Sequence, residues 1–382
     1  MITAALGKIA PAIPADVQFS PEELVWQLTL DQIESNTGRI IDWVTAPASS
    51  AGSSTYCFDE QNVLYSKLRP YLNKVICPNK PGIATTELVP LRPDPDRLDR
   101  QYLCYYLRSP KFVSWVSNQV AGAKMPRVSM QTFWAHEVPL PSLKEQKRIA
   151  AILDKADAIR RKRAEAIFLA DNFLESAFLD MFGDPVINPR GWPKKPLEKL
   201  LAFLTSGSRG WAKYYSDEGR PFLRIQNVGH NRLLMDDIAY VLPPDNAETR
   251  RTLVQPGDVL LSITADLGRT AVIPEGMAAA HINQHLALLR PQGIEPLYLS
   301  AFLSSPGGQT HIHALNRNGV KAGLNFSDVR SLEILLPPNS LQKCFVRLYE
   351  KHTQMLQRLS KAMTTINALF ESLVQRAFRG GL

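Results

Sequence analysis

Val138-Pro-Leu-Pro-Ser-Leu-Lys-Glu-Gln-Lys-Arg-Ile149 decides how this chain is organised, because it turns a proline-marked strand end into a charged helix start. Apolar residues then recur at Ile149, Leu153, Ala156, Ile159, Ile167, Ala170, Leu174, Ala177 and Met181, with Arg163 filling the gap between Ile159 and Ile167. Steps of three and four place them on one helix face. Pro141 stands where proline is tolerated, before or at a first helical turn. Gly183-Asp184-Pro185 ends the pattern. Residues 145–182 as one helix would measure ~57 Å at ~1.5 Å per residue.

The same design recurs at an offset of 196. Val63-Leu-Tyr-Ser66 matches Val259-Leu-Leu-Ser262, and Tyr102-Leu103, Leu107 and Ser109-Pro110 match Tyr298-Leu299, Leu303 and Ser305-Pro306. Glu137, Pro141 and Gln146-Lys147 match Glu333, Pro337 and Gln342-Lys343, and Glu175-Ser176 and Phe182 match Glu371-Ser372 and Phe378. One constant offset across so many positions marks a tandem repeat. The second helical stripe runs Phe345, Tyr349, Met355, Leu359, Met363, Ile366, Phe370, Leu373, Ala377, after Pro337-Pro338 and before Gly380-Gly381. Two such stripes in one chain are expected to pack on each other as a coiled coil.

Before each helix the pattern changes. Short β-branched and aromatic runs at Pro221–Ile225, Gly257–Ser262, Thr270–Ile273 and His285–Leu289 alternate with turns such as Pro256-Gly257 and Pro274-Glu-Gly276. Tyr102–Arg108 and Tyr298–Ser304 read as short helices. The fold class is therefore α/β (mixed α+β), a pseudo-twofold tandem repeat of two globular domains separated by two long antiparallel helices. Its expected parts are 1–142, 143–183, 184–338 and 339–382.

Composition narrows the classes of function. Hydrophobic residues make up 45% and charged residues 21%, without a low-complexity tract. No apolar run nears the ~20 residues of a membrane helix. The apolar start Met1–Ala15 is broken by Pro11 and Pro14 and lacks the form of a signal peptide. Cys57, Cys77, Cys104 and Cys344 show no CxxC spacing, which fits free thiols in a reducing cytoplasm. The net charge of +8 suits a polyanion partner, yet residues 339–382 carry seven Lys and Arg against two Glu, more than half of that excess. Charge alone thus supports nucleic-acid binding weakly.

No stretch of the sequence reads as a catalytic signature. There is no glycine-rich cofactor motif, no GxxxxGK[ST] loop and no Asn/Asp-Pro-Pro-Tyr/Phe. Leu242-Pro-Pro-Asp245 and Leu336-Pro-Pro-Asn339 hold the prolines in the wrong order, and Asp236-Asp237 reads as a solvated turn. His281-x3-His285 has helical metal-ligand spacing with His311-x-His313 nearby, but no cysteine or paired carboxylate joins them, so these are read as structural histidines. Arg160-Arg-Lys-Arg163, flanked by Asp154, Asp157 and Glu165, reads as a solvated helix face with ion pairs rather than a phosphate contact.

The chain resembles the specificity subunits of type I restriction–modification systems. The resemblance rests on Val138–Ile149, on Val63-Leu-Tyr-Ser-Lys-Leu-Arg-Pro-Tyr-Leu-Asn-Lys74, and on the series Arg224-Ile-Gln-Asn227, Gly257-Asp-Val-Leu-Leu-Ser262 and Ile282-Asn-Gln-His285. It covers nearly the whole chain, in the order recognition domain, conserved helix, recognition domain, conserved helix. Two departures stand out. Leu341 replaces the Glu of Glu-Gln in the second helix start, and the Trp192–Leu197 opening of the second domain has no clear counterpart in the first.

What the resemblance implies is a non-catalytic DNA-recognition subunit. Each globular domain would read half of a bipartite target, and the strut would span roughly 17 base pairs at ~3.4 Å each. Two modification subunits carrying S-adenosylmethionine and restriction subunits using ATP and Mg would be the partners. Expected cofactors on this chain itself are none, the expected ligand is double-stranded DNA, and the location is the cytoplasm without membrane contact. Two other classes stay open. One is the recognition half of a larger single-chain restriction–methyltransferase, against which Met1 and the complete two-repeat plan speak. The other is a helical scaffold whose globular domains bind protein.

Base reading calls for Arg or Lys toward guanine and Asn or Gln toward adenine, on loops of a rigid scaffold. First-domain candidates are Lys67, Arg69, Asn73, Lys74, Lys124 and Arg127, the last two within Ala121–Arg127. Second-domain candidates are Ser206, Ser208, Arg209, Arg224, Gln226, Asn227 and Arg269, with Arg317, Asn318 and Lys321 in the counterpart loop. Half or more of protein–DNA hydrogen bonds go to the backbone, so phosphate contact is the commoner fate of each.

Overall fold

The computed structural model describes residues 2–122, 124–316 and 323–379. They form two compact units, Met1–Glu165 with Ser360–Leu382, and Ala166–Leu359. This grouping differs from a division at 142, 183 and 338, because each globular part buries apolar side chains from both long helices, Leu143–Phe182 and Asn339–Ala377.

In the first unit, strands Thr45–Pro47, Leu24–Leu28, Gly82–Thr85 and Thr55–Phe58 make a mixed sheet in that order. Its central pair is parallel, with Trp26 opposite Gly82. A side chain at Gly82 would meet the Trp26 carbonyl at 2.5 Å and the Phe58 ring at 2.7 Å, so only glycine lets these strands approach. Strands Val75–Ile76, Val63–Ser66 and Leu88–Leu91 form an antiparallel sheet. All four residues of Val63–Ser66 are buried, which explains a run without polar alternation. Helix Arg100–Leu107 is capped by Asp99, whose carboxylate accepts from the Tyr102 N–H at 2.8 Å, and helix Pro110–Ser117 by Ser109. Tyr65, Tyr102, Phe112, Phe133, Ile149 and Leu153 share one core with Val374 and Phe378 of the second long helix.

The second unit repeats the plan. Strands Leu201–Ser206, Leu286–Pro291, Val259–Ser262 and Thr270–Val272 form the antiparallel sheet. A mixed sheet sets Phe222 in parallel register with His281. Helices Pro296–Ser304 and Pro306–Ala314 follow, the latter capped by Ser305. The core is built on Tyr298, Phe302 and Phe345 with Phe178 and Phe182 of the first long helix.

Within each unit the helices run antiparallel. In the second, Phe182 and Phe178 both meet Phe345 with centroids 5.6 Å apart, while further along Phe173 stacks on His352. Buried His352 donates from Nε2 to the Ala170 carbonyl at 2.7 Å, occupying a gap in the apolar stripe. In the first, the Arg160 guanidinium lies 4.5 Å over the Phe370 ring.

The repeat is visible in its hydrogen bonds. Tyr102 Oη donates to the Pro139 carbonyl at 3.0 Å, and Tyr298 Oη to the Leu335 carbonyl at 2.8 Å. Buried Gln146 accepts from the Asp99 N–H at 2.8 Å and donates to the Pro141 carbonyl at 2.9 Å. Gln342 does the same toward the Glu295 N–H and the Pro337 carbonyl, at 3.0 and 2.8 Å. Leu341 packs against the second core, whereas Glu145 only pairs with Arg148 on the surface.

One expectation is corrected. The opening of the second domain does have a counterpart. Strand Thr3–Ala5 pairs with Glu137–Pro139 as Lys194–Pro196 pairs with Glu333–Leu335. Leu6 then occupies the buried place of Leu197, and their N–H groups donate to His136 and Leu332, both at 2.8 Å. The spacing there departs from the repeat offset, which hides the match in the sequence.

Candidate nucleic-acid interface

In the first unit, two loops far apart in sequence are stitched together. After strand Val63–Ser66 the chain turns through Arg69 and Asn73, both left-handed with φ of 47° and 51°. The Arg69 N–H donates to the Pro126 carbonyl at 2.8 Å, and the Val128 N–H to the Lys67 carbonyl at 3.1 Å. Lys67, Arg69, Lys124 and Arg127 therefore share one region. Arg127 is held there by Glu87, with Nη2 to Oε1 at 2.9 Å and Nε to both oxygens at 3.2 Å. That carboxylate raises the Arg127 pKa, first through the hydrogen bond and then through its charge. Exposed Tyr71 and Met125 sit on the same loops and add apolar surface that the charge pattern does not announce.

Two first-domain candidates turn inward. Asn73 is buried and donates to the Arg108 carbonyl at 3.2 Å. Lys74 sends its ammonium to the Leu30 carbonyl at 2.7 Å. Both close the turn rather than face solvent.

In the second unit, Ser206, Gly207, Ser208, Arg209, Thr264, Ala265, Gln284 and His285 line a cavity of about 730 Å³. A side chain at Gly207 would strike the Ile282 carbonyl at 2.2 Å, so glycine there lets the Ser206–Arg209 loop rest on the Asn283 turn. Glu248 secures this loop from below, accepting from Ser208 Oγ and from Trp211 Nε1, the latter at 2.8 Å. Arg209 is exposed and without an ion-pair partner among the described residues. Arg317, Asn318 and Lys321 lie outside the described residues. Their flanks are held at the cavity: Gly323 bridges Thr264, its N–H donates to Asn316 Oδ1 at 3.2 Å, and the Leu324 N–H donates to the Ile263 carbonyl at 2.8 Å.

The remaining candidates are engaged within the protein. Asn227 is fully buried, donating to the Leu234 and Asp237 carbonyls and accepting from the Arg224 N–H at 3.0 Å, so its amide closes a turn. Arg224 pairs with Asp237 at 3.5 Å, Gln226 donates to the same carboxylate, and Arg269 pairs with Asp266 at 2.5 Å. The base-reading candidates leave out Glu87, Thr264, Gln284 and His285, although Gln284 and His285 stand in the Ile282–His285 stretch. Only strand register brings them to the rim.

A family model described as the type I restriction modification DNA specificity domain matches residues 34–167. The EcoBI type I specificity subunit of Escherichia coli is 21% identical over 343 residues, covering 81% of this chain and 71% of that one. The EcoKI subunit of E. coli strain K12 is 24% identical over 309 residues, covering 74% and 65%. A solved chain from work on the assembly and conformational transition of the type I R-M system has a TM-score of 0.64 at 21% identity, covering 100% and 98%. The S subunit of M. genitalium has a TM-score of 0.59 at 12% identity, covering 99% and 96%. Residues 34–167 thus match a type I DNA specificity domain, and over most of its length the chain is similar to the specificity subunits of type I restriction–modification systems. Its role is DNA sequence recognition, and in this family catalysis is the work of other subunits. The match to the E. coli EcoDI subunit is shorter, 26% over 159 residues and 35% of that chain.

The chain's other polar clusters have structural partners. His281 is buried against Trp211 and Thr252, and burial, then the Arg220 charge, lower its pKa to about 4. His285 is bonded elsewhere, to Thr264 and Gln284. Among the described residues no three His, Cys, Asp or Glu gather as a metal-binding group. Buried Asp157 takes Arg160 at 2.6 Å and Arg161 at 2.5 Å, an ion pair on the helix as its spacing suggests. No described helix is long and apolar enough to cross a membrane.

Proposed function

We propose that this chain reads a bipartite, non-palindromic duplex target, one half with each globular domain, while the long helices set the spacing between the halves. The observation that carries this reading is one scaffold built twice with different polar rims. Gln146 and Gln342 make the same buried hydrogen bonds, whereas the Arg127–Glu87 pair of one rim is answered by Thr264 and His285 in the other. Equal scaffolds suit equal partners, and unequal rims suit unequal half-targets.

The partners in this reading are two modification subunits, each holding S-adenosylmethionine and methylating an adenine in one half. Restriction subunits supply ATP- and Mg-dependent cleavage, in the cytoplasm. Exposed apolar residues on the helices support two like docking sites: Ile159 and Leu369 in the first unit, Met355 and Phe173 at the repeat-related positions in the second. Ile159 and Leu369 line a groove of about 320 Å³. Deleting the gene and mapping adenine methylation across the source genome tests the reading. Loss of one bipartite motif is expected, and an unchanged methylation pattern would contradict it.

A further inference from the structure

The strand register shows which rim positions are equivalent. Ser66 pairs with Leu88 and Ser262 with Leu286. Just before these pairs, the Lys67 N–H donates to the Glu87 carbonyl at 3.0 Å and the Ile263 N–H to the His285 carbonyl at 2.9 Å. His285 thus stands where Glu87 stands, and Gln284 where Thr86 stands. The backbone is shared and the chemistry is not, which is what a position that distinguishes two half-targets requires.

At this position the second unit holds a chain of three side chains. Gln284 Nε2 donates to His285 Nε2 at 2.9 Å, which leaves the imidazole proton on Nδ1, 2.5 Å from Thr264 Oγ1. The His285 N–H is fixed by Asn283 Oδ1 at 3.1 Å. One amide hydrogen of Gln284 is spent on this chain. Its second amide hydrogen and its Oε1 have no partner among the described residues, and Gln284 lines the cavity. Beside it Ala265 is held left-handed at φ 64°, a conformation rare for a non-glycine residue, so the surroundings dictate the shape of the rim.

A carboxamide presenting one N–H beside one C=O matches adenine, whose major-groove edge offers N7 as acceptor and N6–H as donor. Guanine offers two acceptors there, one of which would face the Gln284 oxygen. We propose that Gln284 reads an adenine in the half-target bound by the second globular domain, its amide oriented by His285 and Thr264. The inference rests on the bipartite-reader reading above.

The test is methylation mapping and competition DNA binding with the full chain assembled with its modification subunits, comparing wild type with Gln284→Ala. The expected result is relaxed preference at one adenine of one half-target, by about 5- to 150-fold, with the other half unchanged. His285→Ala should weaken the same preference, and His285→Gln, which keeps an acceptor near the Nε2 position, should restore it in part. An unchanged motif would overturn the proposal. So would an assembled Gln284→Ala complex whose affinity falls equally for every sequence. If the wild-type complex methylates no bipartite motif, the broader reading fails; if it does and Gln284→Ala behaves as wild type, only this inference fails.

Discussion

The ring of Phe378, close to the C-terminus, meets that of Tyr102 edge to face, with centroids 5.2 Å apart. The repeat-related pair, Phe182 and Tyr298, meets at 4.7 Å. Each long helix therefore ends inside a globular core, and the first domain is completed by the last turn of the second long helix. Truncating Phe378 to alanine should cost about 3–5 kcal/mol, as for other buried phenylalanines. Denaturant unfolding of the full chain checks this, and a change under 1 kcal/mol would show that the end of the helix is dispensable.

Gln146 should matter far more than its neighbour Glu145. Replacing Gln146 by leucine strands the Asp99 N–H and the Arg97 and Pro141 carbonyls, with an expected loss of about 1–3 kcal/mol or more. Glu145→Ala removes only a surface pair with Arg148 and should cost less than about 1 kcal/mol. Unfolding midpoints of the two variants, measured side by side, decide between them.

Histidines held neutral by desolvation, half-buried His136 and buried His281, make stability depend on acid. Burial, first of all, lowers the pKa of His136 and of His281 to about 4, below the 6.5 of a free imidazole. The unfolded chain therefore binds protons that the folded chain does not. Stability should be intact above pH 6.5 and fall as pH drops toward 4. His281→Gln, which cannot titrate, should flatten part of that slope; an equal slope in the variant would contradict the assignment.

If the helices act as a ruler, lengthening both should lengthen the target spacer. Seven residues inserted after Arg163 and seven after Met363 add ~10.5 Å, or ~3 base pairs. Methylation mapping reads the new spacer directly, and an unchanged spacer would exclude the ruler.

Much of this architecture could be read from the sequence because the repeat is marked by residues with fixed duties. Tyr102 and Tyr298, Pro141 and Pro337, and Gln146 and Gln342 each serve a particular backbone group, so their identity and spacing are constrained. Leu6, the counterpart of Leu197, is hidden in the sequence because any apolar residue fills such a place and the spacing there shifts. The rim was harder. Asn227 and Asn73 carry the same amide as a base reader, and only burial shows that it is spent on the backbone. Glu87 and His285 correspond through strand register, two residues away from the offset that aligns the rest.

Two separable readers in one chain are the centre of this account. Exchanging residues 196–336 for the equivalent domain of a relative, then mapping methylation by single-molecule sequencing, addresses it most directly. The account predicts that one half of the methylated motif changes while the other half stays as it was. A simultaneous change in both halves would contradict it.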